Sequence, residues 1–391
     1  MDEDFKHIPS TDFTVSFDVR TDEKGRRSFS FGIWASSPFP FSMYGLWCLP
    51  QAIPMAVFNP GWPNQDERPH PDCINIMLGS DQRAMWGRKC PRCSGYWRTA
   101  APGLIAKAVC PYCGEHLEPH ECLSDAHMAY VEACCALLRQ VMNQDEDGSF
   151  SIGVKELIEQ VHKDGDMPAP PEFFVEVTRQ TRFTCDACGT RNDILGRFGY
   201  CSTCGTRNDF AMLLADIEAI RAGVNAGGNT VTALKEAVDA FDSFGRNYAR
   251  QFMAHIMMTP ARKTKWGRSN FAQIETVAKN LKDDFDIDIL RRIDPAHVEQ
   301  AKRMFHRRHL HAHRGGIVDQ MYLDESGDTT VQLGHLLRET REDVIGVTQA
   351  IAKMGKNLHE GFHSIFPVHQ RPIDIHAEQQ AKSRNGRNGL V

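Results

Sequence analysis

Four Cys-x-x-Cys pairs constrain this chain more than anything else in it. They are Cys90/Cys93, Cys110/Cys113, Cys185/Cys188 and Cys201/Cys204. The first two pairs are separated by 16 residues and the last two by 12. A two-residue spacer lets both thiolates of a knuckle reach one ion, and two knuckles complete a tetrahedral four-sulfur site. The second cluster also contains a repeat: Cys188-Gly189-Thr190-Arg191-Asn192-Asp193 recurs identically at Cys204–Asp209. A glycine directly after the second cysteine suits the tight turn of a knuckle, and Pro91 and Pro111 shape the first cluster. Two structural zinc ribbons are therefore expected. Four-thiolate iron is the alternative, because spacing alone does not separate the metals. Closed four-sulfur sites leave no open coordination position for catalysis.

The 13 cysteines would otherwise suggest a secreted disulfide framework. The acidic start, MDEDFKH, carries no hydrophobic export segment, so a cytoplasmic protein is expected. No proline-free apolar run in the most hydrophobic stretch, Phe29 to Phe58, is long enough for a membrane span. Lys and Arg number 45 against 50 Asp and Glu, so any nucleic-acid site must be a local patch. Cys134 and Cys135 fall at helical spacing and read as core. Cys122, close in sequence to His116, His120 and His127, is a lesser candidate for another metal cluster.

Around these clusters the expected fold is a multidomain α+β arrangement. Residues 1–89 form a β-containing region, with a hairpin of Phe13–Val19 and Ser28–Trp34 across the turn Asp22–Gly25. Residues 90–122 are the first zinc ribbon. Residues 123–171 are a helical connector and linker, with helices over Leu123–Met142 and around Val154–Val161. The second ribbon is 172–209, led by a strand at Phe173–Val177. Residues 210–365 are an all-α bundle, and 366–391 a disordered tail. Within the bundle the periodicity predicts helices over Phe210–Ala222, Val231–Met258, Asn270–Leu281, Pro295–His313 and His335–Leu358. Thr230, Ser269 and Asp294 are expected as caps, with Pro260 and Gly315-Gly316 as stops.

The stretch Asp294–Asp319 is the most informative part of the bundle. From Lys302 to Arg314 it holds five Lys or Arg residues, four histidines and no acid. On a helical wheel Val298, Ala301, Phe305 and Ala312 share a stripe, and Arg308, His309 and His313 occupy or border it. Arg303, Arg307 and His311 are expected to face solvent. Polar groups on an apolar stripe carry a desolvation cost unless a polar cleft or partners are present, which marks them as functional candidates. A metal site of His309, His311 and His313 is disfavoured, because alternate residues diverge on a helix.

Arg308-His309-Leu310-His311-Ala312-His313 resembles the R-φ-x3-H motif of the HEPN superfamily, in which φ is usually Asn, Asp or His. The resemblance covers roughly residues 210–360. It implies metal-independent RNA cleavage by a homodimer whose paired helices line a shared cleft. His313 would handle the proton in 2′-OH attack, Arg308 would hold the phosphate, and His309 would orient or assist. In a bacterial setting it would look like a toxin or defence effector. Arg250–His255 spaces Arg and His likewise, but Gln251 departs from the φ choice.

A second basic stretch, Arg262–Arg268 around Trp266, reads as a loop that either grips a phosphate backbone and stacks a base or packs its tryptophan on the domain. Arg191 and Arg207 on the knuckles read as solvated surface. A non-catalytic nucleic-acid- or protein-binding module is the competing function, since fold alone does not assign activity.

Overall fold

The computed structural model describes residues 5–7, 13–35, 43–58, 68–80, 84–100, 107–142, 147–153, 174–176 and 180–388. The helix expected around Val154–Val161 lies outside them. The chain divides into two compact units, one of Met1–Thr206 with His369–Val391 and one of Arg207–Val368.

The first unit is built from antiparallel strands. The expected hairpin is present as β2 (Phe13–Thr21) and β3 (Arg27–Ala35), with Phe17 opposite Phe31. Asp22 closes its turn by accepting from the backbone N–H groups of Lys24 and Arg26. Strand β11 (Gly148–Gly153) adds to the outer edge of β2, and β1 (Phe5–His7) pairs with β12 (Phe174–Glu176). A second sheet centres β4 (Met43–Leu49) between β5 (Ile53–Phe58) and β6 (Ile74–Gly79). Helix α1 (Asp125–Met142) lays Val131, Cys134, Cys135 and Leu138 into a core shared with Tyr44, Leu46, Ile76, Leu78 and Trp86.

The two cysteine clusters do not form separate domains. Strands β7 (Met85–Lys89) and β8 (Tyr96–Ala100) flank the first knuckle, and β13 (Gln180–Thr184) and β14 (Arg191–Leu195) flank the third. These four strands make one sheet in the order β13-β14-β8-β7, with Asn192 opposite Thr99 and Ile194 opposite Trp97. The short pair β9 (Ala108–Val109) and β10 (His116–Leu117) brackets the second knuckle. Val109 N–H donates to the Ser202 carbonyl and Tyr200 N–H to the Pro111 carbonyl, which ties the second and fourth knuckles together.

The second unit is a helical bundle: α2 (Asp209–Asn225), α3 (Thr230–His255), α4 (Pro260–Gly267), α5 (Ile274–Phe285), α6 (Pro295–His313), α7 (Gln320–Ser326) and α8 (Arg341–Ile365). Its core stacks Phe241, Phe244, Tyr248 and Phe252 of α3 against Phe271, Phe305 and Phe362. Gly245 lies where a Cβ would sit 2.0 Å from the Phe271 ring, so only glycine lets that ring approach α3.

Several local expectations change. Asn229, one residue before Thr230, caps α3 through the Thr232 N–H, while Thr230 Oγ1 donates to the Glu339 carbonyl. Residues 262–266 are helical rather than loop, because Thr259 caps α4 and Pro260 stands in its first turn. Ser269 precedes the true start of α5 by several residues. The segment expected to be a disordered tail carries α9 (Gln370–Asn388). It has a weak apolar pattern, yet Ile373 packs on the second cysteine cluster and His376 sits against Gly189. That contact supplies the burial its sequence alone does not suggest.

Candidate functional site

All four knuckles close with the same backbone bonds. The leading cysteine N–H donates to the carbonyl five residues on, and its own carbonyl accepts from the residue four on: Ser94, Gly114, Gly189 and Gly205. Those four residues have φ of 58°, 68°, 71° and 79°, the left-handed turn expected of the glycines in the second cluster and adopted in the first by Gly114 and by Ser94. In each cluster the four Sγ atoms lie within 4.8 Å of one another. Cys90–Cys113 is 3.7 Å and Cys93–Cys110 is 3.6 Å. Cys185–Cys204 and Cys188–Cys201 are each 3.6 Å. A disulfide needs about 2.05 Å between sulfurs. A tetrahedral ion with metal–sulfur bonds near ~2.3 Å places them ~3.7 Å apart. The geometry fits an ion, and each cluster can hold one.

Asn192 supports the second cluster, donating from Nδ2 to the Cys201 sulfur at 3.6 Å while its Oδ1 accepts from Ser202 N–H at 2.8 Å. Cys122 makes no cluster with the nearby histidines among the described residues. It is fully buried and receives Arg88 Nη1 at 2.8 Å. Cys134 and Cys135 are core, as expected, with Cys135 4.0 Å from Cys48.

Helix α6 starts at Pro295 with Asp294 as cap, accepting from Ala296 N–H, and ends at His313. Its buried face is Ala301, Met304, Phe305 and Leu310, together with Arg307 and His311. The last two correct the expectation that they face solvent. Arg307 donates to Asp328 at 2.8 Å, Glu339 at 3.2 Å and the Tyr322 hydroxyl at 3.2 Å. His311 Nε2 meets the other Glu339 oxygen at 2.9 Å. Tyr322 donates to Asp328 at 2.5 Å. Burial pushes the Tyr322 phenol up to about 12, helped by that carboxylate. The carboxylates come from the 328–339 segment, which has no helical period, so a wheel of α6 alone could not place them. Ala312, expected in the stripe, is exposed.

Arg308, His309 and His313 stand together on another side of α6 and line one cleft of about 560 Å³. Arg308 is half-buried and pairs with Asp239 of α3, and its Nε has no partner among the described residues. The imidazoles of His309 and His313 are neighbours, with ring centroids 4.7 Å apart and planes tilted by 51°. Burial holds the His309 pKa below the usual imidazole value, and the neighbouring His313 and Arg308 push the same way. Phe305 forms part of the floor, and residues 270–276 and α7 complete the rim. The cleft, unlike the knuckles, is not visible in the sequence, because its rim comes from three separate elements.

Of the second basic stretch, Trp266 is buried and donates from Nε1 to Asp284 at 2.9 Å. Lys265 binds the same carboxylate at 2.8 Å. The tryptophan is therefore core and offers no stacking face. Arg207, expected as solvated surface, is buried against Asp209 at 2.9 Å. Arg191 is exposed. No helix among the described residues is long and apolar enough to cross a membrane.

No family model, curated protein or solved structure matches the chain.

Proposed function

We propose that the helical unit is a metal-independent endoribonuclease of HEPN type and that each four-cysteine cluster holds one structural Zn2+. The carrying observation is that Arg308, His309 and His313 line a single open cleft. An arginine fork and two adjacent imidazoles supply what phosphodiester transfer requires. Arg308 takes the non-bridging oxygens and stabilises their charge as it develops. One imidazole accepts the 2′-OH proton as O2′ bonds to phosphorus. The other delivers a proton to O5′ as the P–O5′ bond breaks, giving a 2′,3′-cyclic phosphate and a 5′-hydroxyl. His313 takes one of these two proton roles, and His309, held toward its neutral form, assists with the other. No step needs a metal.

A homodimer through the helical unit fits this reading. Ile317, Met321, Leu333 and Leu336 are exposed apolar side chains, and Met321 lines the cleft itself. Action on cytoplasmic RNA, as a toxin or defence effector, follows from the same reading.

One contact favours the competing view of a non-catalytic binding module: Asp239 already occupies the Arg308 guanidinium. Incubating the purified full chain with RNA separates the two. The nuclease reading expects cyclic-phosphate ends, and His313→Ala should bind RNA but cut at least about 100-fold more slowly. RNA bound and left intact by the wild-type protein favours the module, and equal cutting by both proteins removes His313 from the chemistry.

A further inference from the structure

The cleft contains more chemistry than a phosphodiester uses. Besides the cationic group on α6, its wall carries Asn270, Gln273 and Thr276, and α7 contributes Glu325. Gln273 occupies the cap position of α5 but makes no capping hydrogen bond, and its side-chain amide has no partner among the described residues. Asn270 uses only its Oδ1, accepting from Ala272 N–H at 3.1 Å, which leaves its NH2 donors available. The Glu325 carboxylate is 59% exposed, and its partner His306 stands at 3.8 Å, beyond hydrogen-bond length. Ile274, Phe305 and Met321 supply apolar surface between these polar groups.

A carboxylate repels a phosphate, so Glu325 does not serve one. The same set suits a flat, uncharged group with hydrogen-bonding edges. At about 560 Å³ the cleft falls within the range of roughly 300–1,000 Å³ typical of small-molecule pockets, with room beyond a single phosphate. Single-stranded RNA offers splayed bases read on their edges in this way.

We propose that Gln273, Asn270 and Glu325 form a base-recognition subsite, so that the enzyme selects RNA carrying an amine-bearing base such as adenine or cytosine, and not uracil, beside the cleaved bond. Glu325 only accepts hydrogen bonds while ionised, so it takes the exocyclic amine that adenine and cytosine present. Uracil has no exocyclic amine and places carbonyl oxygens there instead, whereas guanine can offer a carboxylate its 2-amine and N1–H. The Gln273 amide both donates and accepts, and can hold the amine together with an adjacent ring nitrogen, the pairing that side-chain amides make with adenine. This inference rests on the ribonuclease reading for its cleavage arm, but the binding arm below judges the subsite separately.

The experiment uses the full chain and a set of short oligoribonucleotides that differ only in the base at one position. It also uses titrations with 3′-AMP, 3′-CMP and 3′-UMP. Wild-type protein should cut the adenine or cytosine substrates roughly tenfold or more faster than the uridine one, and bind 3′-AMP or 3′-CMP by a like factor over 3′-UMP. Glu325→Gln, whose amide can also donate to a carbonyl, should erase most of that preference while cutting continues. Gln273→Ala should weaken it as well. His313→Ala should stop cutting and keep the nucleotide preference. Circular dichroism establishes that each variant is folded. Cleavage without preference, or preference unchanged in both Glu325→Gln and Gln273→Ala, overturns the subsite and leaves the nuclease standing. Absence of cleavage by wild-type protein overturns the nuclease. In that case the titrations still decide: equal binding of the three nucleotides, or none, overturns the subsite too.

Discussion

A single residue, at the same left-handed backbone angle, separates the first knuckle from the other three. Gly114, Gly189 and Gly205 take the left-handed turn without cost from a Cβ, whereas Ser94 takes it with one at φ 58°. The sequence places its glycine one residue later, and the reason is steric: a Cβ on Gly95 would meet the Tyr112 ring at 2.3 Å. Tyr112 in turn donates to the Tyr96 carbonyl and accepts from Leu195 N–H, so that ring joins the two ribbon hairpins. Ser94→Gly should therefore stabilise the first unit by about 1 kcal/mol, read as a higher melting temperature, because it relieves the left-handed strain without touching a ligand. Gly95→Ala should destabilise it, since the phenol would have to leave its place between the hairpins. If Ser94→Gly proved neutral or harmful, the shared knuckle geometry would not be what sets that turn.

Helix α6 shows how far periodicity carries and where it stops. Its span, its Asp294 cap and its proline start are readable because they depend on adjacent residues alone. The side that buries Arg307 and His311 is not. Polar groups enter a core when partners await them, and here the partners are carboxylates from a segment with no repeat of its own. The knuckles are legible for the opposite reason, since within each one the partner cysteine stands three positions along the sequence. Removing Glu339 tests the network: Glu339→Ala leaves a buried guanidinium and imidazole without their shared carboxylate. It should cost about 3–5 kcal/mol of stability in the helical unit, measured by denaturant unfolding. Helix α8 carries a pair of half-buried histidines, with a different dependence. His359 meets the Tyr248 hydroxyl at 2.7 Å, and His363 accepts from Arg207 N–H at 3.2 Å. Burial pulls His359 down to about 3, with His363 and Arg207 adding to the effect. Burial, with Arg207, lowers His363 to about 4. An unfolded histidine titrates near ~6.5, so below that pH the unfolded chain takes up protons that the folded one refuses. The helical unit should thus be most stable above about pH 6.5. It should lose up to roughly 1.4 kcal/mol per pH unit for each histidine as the pH falls toward the folded values. A melting temperature flat from pH 7 to pH 5 would contradict the burial of both rings.

At the scale of the whole chain, the two kinds of site lie in different units and depend on different forces. The first unit joins both cysteine clusters through one four-stranded sheet, so the order of that sheet is expected to depend on what the thiolates hold. The second has a large aromatic core and gathers Arg308, His309 and His313 from one helix of its own. Removing metal should therefore separate the units functionally. Purified protein is expected to contain two equivalents of zinc by elemental analysis, one for each cluster. A strong chelator should release both and abolish the protection of the β8 and β14 amides in hydrogen exchange. Amides in α3 and α8 should stay protected, because their core contains no cysteine. Cleavage of a short RNA should persist after chelation if the chemistry belongs to Arg308 and His313, while any longer-range target recognition by the ribbons would be lost. Parallel loss of cleavage and metal, with α3 and α8 still protected, would instead assign the thiolate clusters a direct part in the reaction.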